Sequence, residues 1–486
     1  MKRMLICLAL SLVASAARAD EDDTRRLQDE LSWRLQQQRQ SQWPAAMDGD
    51  AQHITIDGQL YRVGDDAEGL ARGLYYALNT QQWAKVTAFL ARYRALPEHE
   101  PQLVLLAEGL MARAQHAVGL AIEKLQAAQA MAPEDVRIQL ELARLYTEDH
   151  QNPEALATFG QVLQQDLPPV TAGLVESHMD HLKERDQWHG SLSVGSGYNN
   201  NVNQAKGGSS CAAYLGTECW LYQRLPEAQG AMFQRYQLAL SKQWSMGGHH
   251  SWVFKPLAYG TKYQLSAATD GTAQRYSDHT TVVAAGYRYA DARSSYTVTP
   301  VLEHYFRGGH THYWAFGLEA EWSRELGQGW RVNAQARAKR VRYAGQERQW
   351  YADYSQYTAG VGVNHAFSSQ AGWFLSADVE RKKYPLALSS SKEILLRSGG
   401  YKLFDGGYYV NALALHRRSD YDAYAPMLDV RRQDRQTLLM ASVGVLKWRY
   451  RNVYPELQLK RVVNHSNSQF YGYSQNELSL NLRHNF

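Results

Sequence analysis

Trp314-Ala315-Phe316-Gly317-Leu318-Glu319-Ala320-Glu321-Trp322-Ser323 alternates at every step between residues suited to hydrocarbon and residues suited to water. A strand turns successive side chains to opposite faces, so Trp314, Phe316, Leu318, Ala320 and Trp322 share one face, and Glu319, Glu321 and Ser323 share the other. The next segment sets Trp330, Val332, Ala334, Ala336 and Ala338 against Arg331, Asn333, Gln335, Arg337 and Lys339. A third sets Trp373, Leu375, Ala377 and Val379 against Ser376, Asp378, Glu380 and Lys382. This is the pattern of a transmembrane β-barrel, whose outer face meets lipid and whose lumen meets water. Glu319, Glu321, Arg331, Arg337, Lys339, Asp378 and Glu380 are the lumen-facing candidates.

Working outward, turn residues divide the chain after Trp188 into strands near Gly190, Gln234, Val253, Val283, Val298, Leu318, Ala334, Val361, Ala377, Leu395, Ala412, Val443, Leu457 and Leu480. That makes about fourteen antiparallel strands, an even number that leaves both chain ends in the periplasm. Connections after even-numbered strands are mostly tight, as at Asp291-Ala292-Arg293, Gly327-Gln328-Gly329 and Asp405-Gly406-Gly407; several of the others are longer. The last strand alternates through Leu478, Leu480 and Leu482 to Phe486, and this ending resembles the signal read by the barrel-assembly machinery of the outer membrane. That machinery and membrane lipid are therefore expected partners. The competing reading is a soluble β-sandwich.

Bulk properties agree only when the alternation is known. Mean hydropathy is −0.50, because lipid-facing and lumen-facing residues average out. Of 31 tyrosines, only Tyr61, Tyr75, Tyr76, Tyr93 and Tyr146 precede the strand region, as interfacial aromatic girdles require. A net charge of +4 is too small and dispersed for a nucleic-acid partner. Residues 1–19, with Lys2, Arg3, an apolar run and Ala17-Arg18-Ala19, read as a cleavable signal peptide.

Residues 20–64 read as a charged helical arm followed by a small hairpin around Asp57-Gly58. Residues 65–187 read as tetratricopeptide-like helical repeats. Two segments about 34 residues apart match, the period of that repeat. Gly109, Ala121, Leu125, Ala128 and Pro133 in the first correspond to Ala143, Ala155, Phe159, Val162 and Pro168 in and after the second, where Tyr146 joins Ala143 on the first helix. Small residues let paired helices approach, while large ones fill the gap between hairpins. A third, degenerate hairpin covers Ala67 to Leu96. The module is either a spacer or a concave surface for an extended client. Residues 188–486 form the barrel, so the fold class is α + β multidomain.

Gly195-Ser196-Gly197-Tyr198-Asn199-Asn200-Asn201-Val202-Asn203-Gln204-Ala205, at the end of the first strand and just after the repeats, resembles the surface lipoprotein assembly modulator family. Tyr198, Asn199, Asn200, Asn201 and Asn203 carry the motif; as residues alone they also suit an ordinary polar turn. The resemblance implies translocation of specific clients across the outer membrane: lipoproteins displayed on the cell surface, or secreted haemophore-like proteins. Periplasmic chaperones are allowed as further partners. The rival is an exopolysaccharide export porin, which also joins repeats to a barrel.

The first external loop, roughly residues 198–227, holds Cys211 and Cys219. An even pair in an oxidising compartment predicts one disulfide, two free thiols being the alternative. Closing so short a loop contributes at most about 2.5 kcal/mol in the chain-entropy model, so its work is to shape the loop. No phosphate-binding loop, zinc spacing or nucleophile elbow is present. Catalytic residues and cofactors are therefore expected to be none. His304, His310 and His312 gather near one external loop and are read as solvated rather than as metal ligands.

Overall fold

The computed structural model describes residues 66–215, 218–264, 272–426, 428 and 430–486. The signal peptide, arm and small hairpin expected over residues 1–64 lie outside the described residues.

Among the described residues seven helices come first: α1 Ala67–Asn79, α2 Trp83–Arg94, α3 Pro101–Ala114, α4 Val118–Met131, α5 Val136–Glu148, α6 Asn152–Val162 and α7 Pro169–Arg185. Asp66 and Asp135 cap α1 and α5 with their carboxylates, satisfying amides that have no intrahelical partner. The three hairpin turns share one geometry, with Gln81, His116 and His150 at φ 54°, 60° and 58°. The following amide then reaches back across the helix end, from Gln82 to Ala77 (2.9 Å), Ala117 to Ala112 (2.8 Å) and Gln151 to Tyr146 (2.8 Å), the bond of a Schellman motif. The repeat is thus a repeat of backbone conformation as well as of side chains.

The helical core contains the residues of the repeat reading. Ala121, Leu125, Ala128, Ala143, Ala155 and Val162 are fully buried, with Tyr146 and Phe159 beside them. Gly109 is buried on α3. A Cβ there would lie 2.3 Å from Leu125 Cδ1 and 3.3 Å from the Ala121 carbonyl on α4. The degenerate hairpin is α1–α2, whose Leu74, Leu78, Val86 and Leu90 join the same core. Pro133 departs from the packing expected of it: it is exposed between α4 and α5, where its carbonyl accepts from Gln139 Nε2 at 2.5 Å. Its missing amide and fixed φ suit a helix break rather than packing.

The strands are β1 His189–Asn199, β2 Ser209–Leu215, β3 Glu218–Arg224, β4 Ala231–Ser245, β5 His250–Tyr263, β6 Asp278–Ala290, β7 Ser294–Arg307, β8 His310–Gly327, β9 Trp330–Tyr343, β10 Tyr354–Ser368, β11 Ala371–Lys383, β12 Ser391–Phe404, β13 Tyr408–Ala425, β14 Val430–Val445, β15 Val453–Ser466 and β16 Tyr473–Asn485. All but β2 and β3 form one closed antiparallel barrel, β1 pairing with β4 on one side and β16 on the other. The fourteen barrel strands contain every strand centre inferred from the sequence.

Two features differ from the sequence reading. The first external loop is not irregular throughout, because β2 and β3 form a separate two-stranded hairpin inside it. The external connection between β7 and β8 is as tight as a periplasmic one, only Gly308 and Gly309, at φ 57° and 95°. Two successive positive φ angles are what a two-residue primed hairpin turn requires, and glycine meets them at no steric cost.

Gly109→Val should overpack the α3–α4 contact and destabilise the helical domain by about 1–3 kcal/mol. Limited proteolysis should then cut residues 67–185 sooner, while the heat-modifiable electrophoretic shift of the barrel stays as in the parent protein. Equal proteolytic resistance would show that α3 and α4 do not pack at Gly109.

Candidate functional site

Only Asp186, Gln187 and Trp188 separate α7 from β1, so the helical domain cannot swing far from the barrel's periplasmic rim. It is also bonded there directly. Ser245, at the end of β4, donates its amide and hydroxyl to the Asp186 carboxylate at 3.0 and 2.8 Å. Asn152 Nδ2 donates to Ser245 Oγ at 3.2 Å. In the β4–β5 turn, the Gly248 amide donates to Glu154 at 2.7 Å and His249 Nε2 lies 2.7 Å from Asp149. In the β6–β7 turn, the Ala292 amide donates to the other Asp149 oxygen at 3.0 Å and Arg293 donates to the His116 carbonyl at 3.0 Å.

The turns of the second and third helical hairpins therefore sit on two neighbouring periplasmic turns of the barrel. Asp149 and Asn152 are buried in this junction. Arg185 ties it from behind, donating to the Thr147 carbonyl (3.1 Å) and to Asn152 Oδ1 (3.0 Å). His150 lies beside them. Desolvation in the crowded junction, reinforced by the positive charges of Arg185 and Arg288 and opposed by Asp149 and Asp291, lowers its pKa to about 4, although the outer edge of the residue stays exposed.

The seven lumen-facing candidates all point inward, and each meets a partner. Glu319 pairs with Arg337 (2.8 Å), Glu321 with Lys255 (3.1 Å), Lys339 with Glu303 (3.1 Å), Arg331 with Glu325 and Asp378 with Arg397. Glu380 accepts from Thr358 at 3.1 Å. The lumen wall is a network of matched charges from different strands, some adjacent and some further apart, and removing one member of a buried pair leaves the other uncompensated. Sequence reading missed a further buried member of this network: Glu477 on β16, held by Arg235 on β4 and by Lys460 on β15 at 3.0 Å. Arg235 reaches Glu477 across β1, whose lumenal positions Ser193, Gly195 and Gly197 are too small to intervene.

The asparagine motif lies at the external end of the seam between β1 and β16. Tyr198 faces outward, half exposed. Asn199 accepts the Asn201 amide at 2.9 Å. Asn200 Oδ1 accepts the Asn476 amide at 2.7 Å, and Asn201 Nδ2 donates to the carbonyls of Ala205 and Ser474 at 2.7 and 2.8 Å. Asn203 crosses the loop, donating to the Glu227 carbonyl (2.8 Å) and accepting the Gln229 amide (2.9 Å). The motif is thus a latch that fastens the start of the first loop both to β16 and to its own far end. At the other end of the seam, Gly190 and Phe486 exchange backbone hydrogen bonds of 2.7 and 3.1 Å, while Leu480, Leu482 and Phe486 are exposed on the outer face.

Cys211 and Cys219 form a disulfide across the β2–β3 hairpin, with their Cα atoms 5.7 Å apart. The three loop histidines separate. His310 and His312 both direct a ring nitrogen at Glu347, at 2.6 and 3.1 Å. His304 instead packs against its register partner Trp314 on the outer face, centroids 4.1 Å apart, and a register shift between Tyr305 and Phe306 lies between it and the other two. No sequence pattern pairs Glu347 with these histidines, since it arrives from the β9–β10 connection.

The model described as "Surface lipoprotein assembly modifier" matches residues 188–486, and that for "Surface lipoprotein assembly modifier, N-terminal TPR repeats" matches residues 62–159. The hemophilin secretion modulator of Acinetobacter baumannii is 28% identical over 509 residues, spanning 100% of both chains. The surface lipoprotein assembly modifier 1 of Neisseria meningitidis serogroup B is 26% identical, over 65% of this chain and 66% of that one. The surface lipoprotein assembly modifier of Moraxella catarrhalis is 23% identical, over 85% and 79% respectively. The outer-membrane barrel, the helical repeats before it and these matches together place the chain in the surface lipoprotein assembly modifier family.

Proposed function

We propose that this chain is an outer-membrane translocator that carries specific client proteins from the periplasm to the cell surface, its helical domain receiving the client and its barrel passing it outward. The observation that carries the proposal is the junction around Asp149, Asn152, Glu154 and Asp186, which fixes the repeat domain on one sector of the barrel mouth. A spacer needs no such clamp; a receiving surface does, because the client must be delivered to a defined entrance. Clients of the two kinds named in the relatives, a surface lipoprotein or a hemophilin-like secreted protein, both fit this role, and family membership favours them over a polysaccharide. The chain's own part is binding and guidance rather than catalysis.

For the route, we favour the lumen over the seam. Pairing of β1 with β16 runs without interruption from Ser191 opposite Asn485 to Asn199 opposite Glu477, and the Asn200 and Asn201 bonds extend it into the loop. Opening it in lipid would strand backbone donors and acceptors at several kcal/mol each.

Three outcomes are expected. Replacing Asp149, Glu154 and Asp186 together by Ala removes hydrogen bonds to charged groups that contribute roughly 1.5–3 kcal/mol apiece; protease-accessible client on intact cells should fall at least about tenfold, with the barrel's heat-modifiable shift unchanged. Normal display would sink the docking role. Locking the seam with Ser196→Cys and Leu480→Cys, register partners on β1 and β16, should leave display intact, whereas a block relieved by reductant would mean that clients leave sideways.

The third concerns pH. A histidine lowered to about 4 in the folded state contributes its full stability above its ordinary value near 6.5, and that contribution is lost as pH falls from there toward 4. Because the edge of His150 is open to water, the change should be small, under about 1 kcal/mol. The helical domain should therefore loosen slightly between these limits, and His150→Asn, which tolerates positive φ, should remove that decline in a proteolysis-against-pH series. An identical pH series for the variant would exclude His150 as the titrating group.

A further inference from the structure

The outer wall at the external end of β11 to β15 is strongly basic. Outward-facing Arg381 on β11 stands directly opposite Lys392 on β12. Arg418 on β13 stands opposite Arg435 on β14, and Arg435 stands opposite His465 on β15. Like charges directly opposite one another destabilise a sheet. Among the described residues, the outward positions of these strands offer only Asp420 and Asp422 in return: Asp420 stands opposite Lys392 and accepts from Arg418 (3.0 Å), and Asp422 pairs with Arg381. Lys392, Arg418 and Arg435 are exposed.

Beneath this belt the same wall is notched. Outward-facing Ser398, Gly400, Ala412, Ala414 and Ala441 floor a depression of about 610 Å³, walled by Trp373, Leu439 and Leu459. Arg461 and Asn476 stand at its upper rim. These small side chains leave room beside the wall.

The position of these features identifies their surroundings. The helical domain and both ends of the described chain lie at the periplasmic rim, so the basic belt lies at the headgroup level of the outer leaflet and the notch lies in its acyl region. We propose that this wall is a specific binding site for a phosphorylated glycolipid of the outer leaflet. Phosphate groups sit between the opposed cations of β11 to β15, where charge-assisted bonds to guanidinium groups are strongest, and an acyl chain lies in the notch below Arg461. The anion offsets the excess of cations that Asp420 and Asp422 leave, above all at Arg435, and the small side chains account for the indentation of the wall directly under them. The site would anchor one side of the barrel while leaving β1, β16 and the first loop outside it.

The test uses the full-length protein purified in detergent, with lipid A, dephosphorylated lipid A and inorganic phosphate as probes and native mass spectrometry as the readout. Lipid A should bind. Binding should fall at least about tenfold with the dephosphorylated form and in the variant Lys392→Gln/Arg418→Gln/Arg435→Gln/Arg461→Gln. Ala414→Phe, which fills the notch and keeps every charge, should also weaken it, and Lys402→Gln at the other end of β12 should not. Should the fourfold variant fail to close its barrel, Arg435→Gln and Arg461→Gln singly carry the same expectation in smaller measure. Undiminished lipid A binding by these variants would overturn the site, and so would displacement of lipid A by an equal concentration of inorganic phosphate, since the notch would then play no part.

Discussion

Everything in this molecule depends on the bonding of β1 to β16. A strand edge facing hydrocarbon has no water to satisfy its amides and carbonyls, so the first and last strands of the barrel must find each other across the length of the chain. Their register is continuous, and it is finished at both ends by further bonds: Gly190 with Phe486 at the periplasmic rim, and Asn200 and Asn201 with β16 at the external one. Closure with an even number of strands also returns the chain to the side from which it started. The helical domain, joined to β1 by three residues, is thereby placed at the periplasmic entrance.

The second constraint is charge. A lumen lined with ionisable groups is expensive unless they are matched, and here they are matched between strands: Glu319 with Arg337, Lys339 with Glu303, and Glu477 with Arg235 and Lys460. These pairs stiffen the wall from inside while the outer face supplies apolar contact with lipid. At the rim the same chemistry joins the two domains, because Asp149, Glu154 and Asp186 accept from barrel backbone amides that the tight turns would otherwise leave to water.

Much of this was readable in the sequence because it is local. Period-two alternation located every barrel strand, since the lipid face tolerates little else, and the repeat period located the helical hairpins around Gly109, Ala121 and Leu125. What could not be read is set by contacts between residues far apart in the chain. Alternation says that Glu477 faces inward, but nothing in it reveals that Arg235 reaches over the glycines of β1 to meet it. The repeat pattern puts Asp149 in a turn without disclosing that the turn rests on the barrel. The β2–β3 hairpin was hidden because Ser209–Leu215 is rich in small residues and has no strong alternation. Pro133 matched the repeat by position yet is exposed, since a proline at that point serves to end a helix.

The claim on which the functional account stands is that a client leaves the docked helical domain and enters the barrel interior. Neighbouring positions on β9 test it directly, because Asn333 faces the lumen and Ala334 faces lipid. With a photo-crosslinking residue placed at each in turn, and a client stalled during export, the account predicts crosslinks from position 333 and none from position 334. Crosslinks from 334, or none from 333 while the client still reaches the surface, would contradict it.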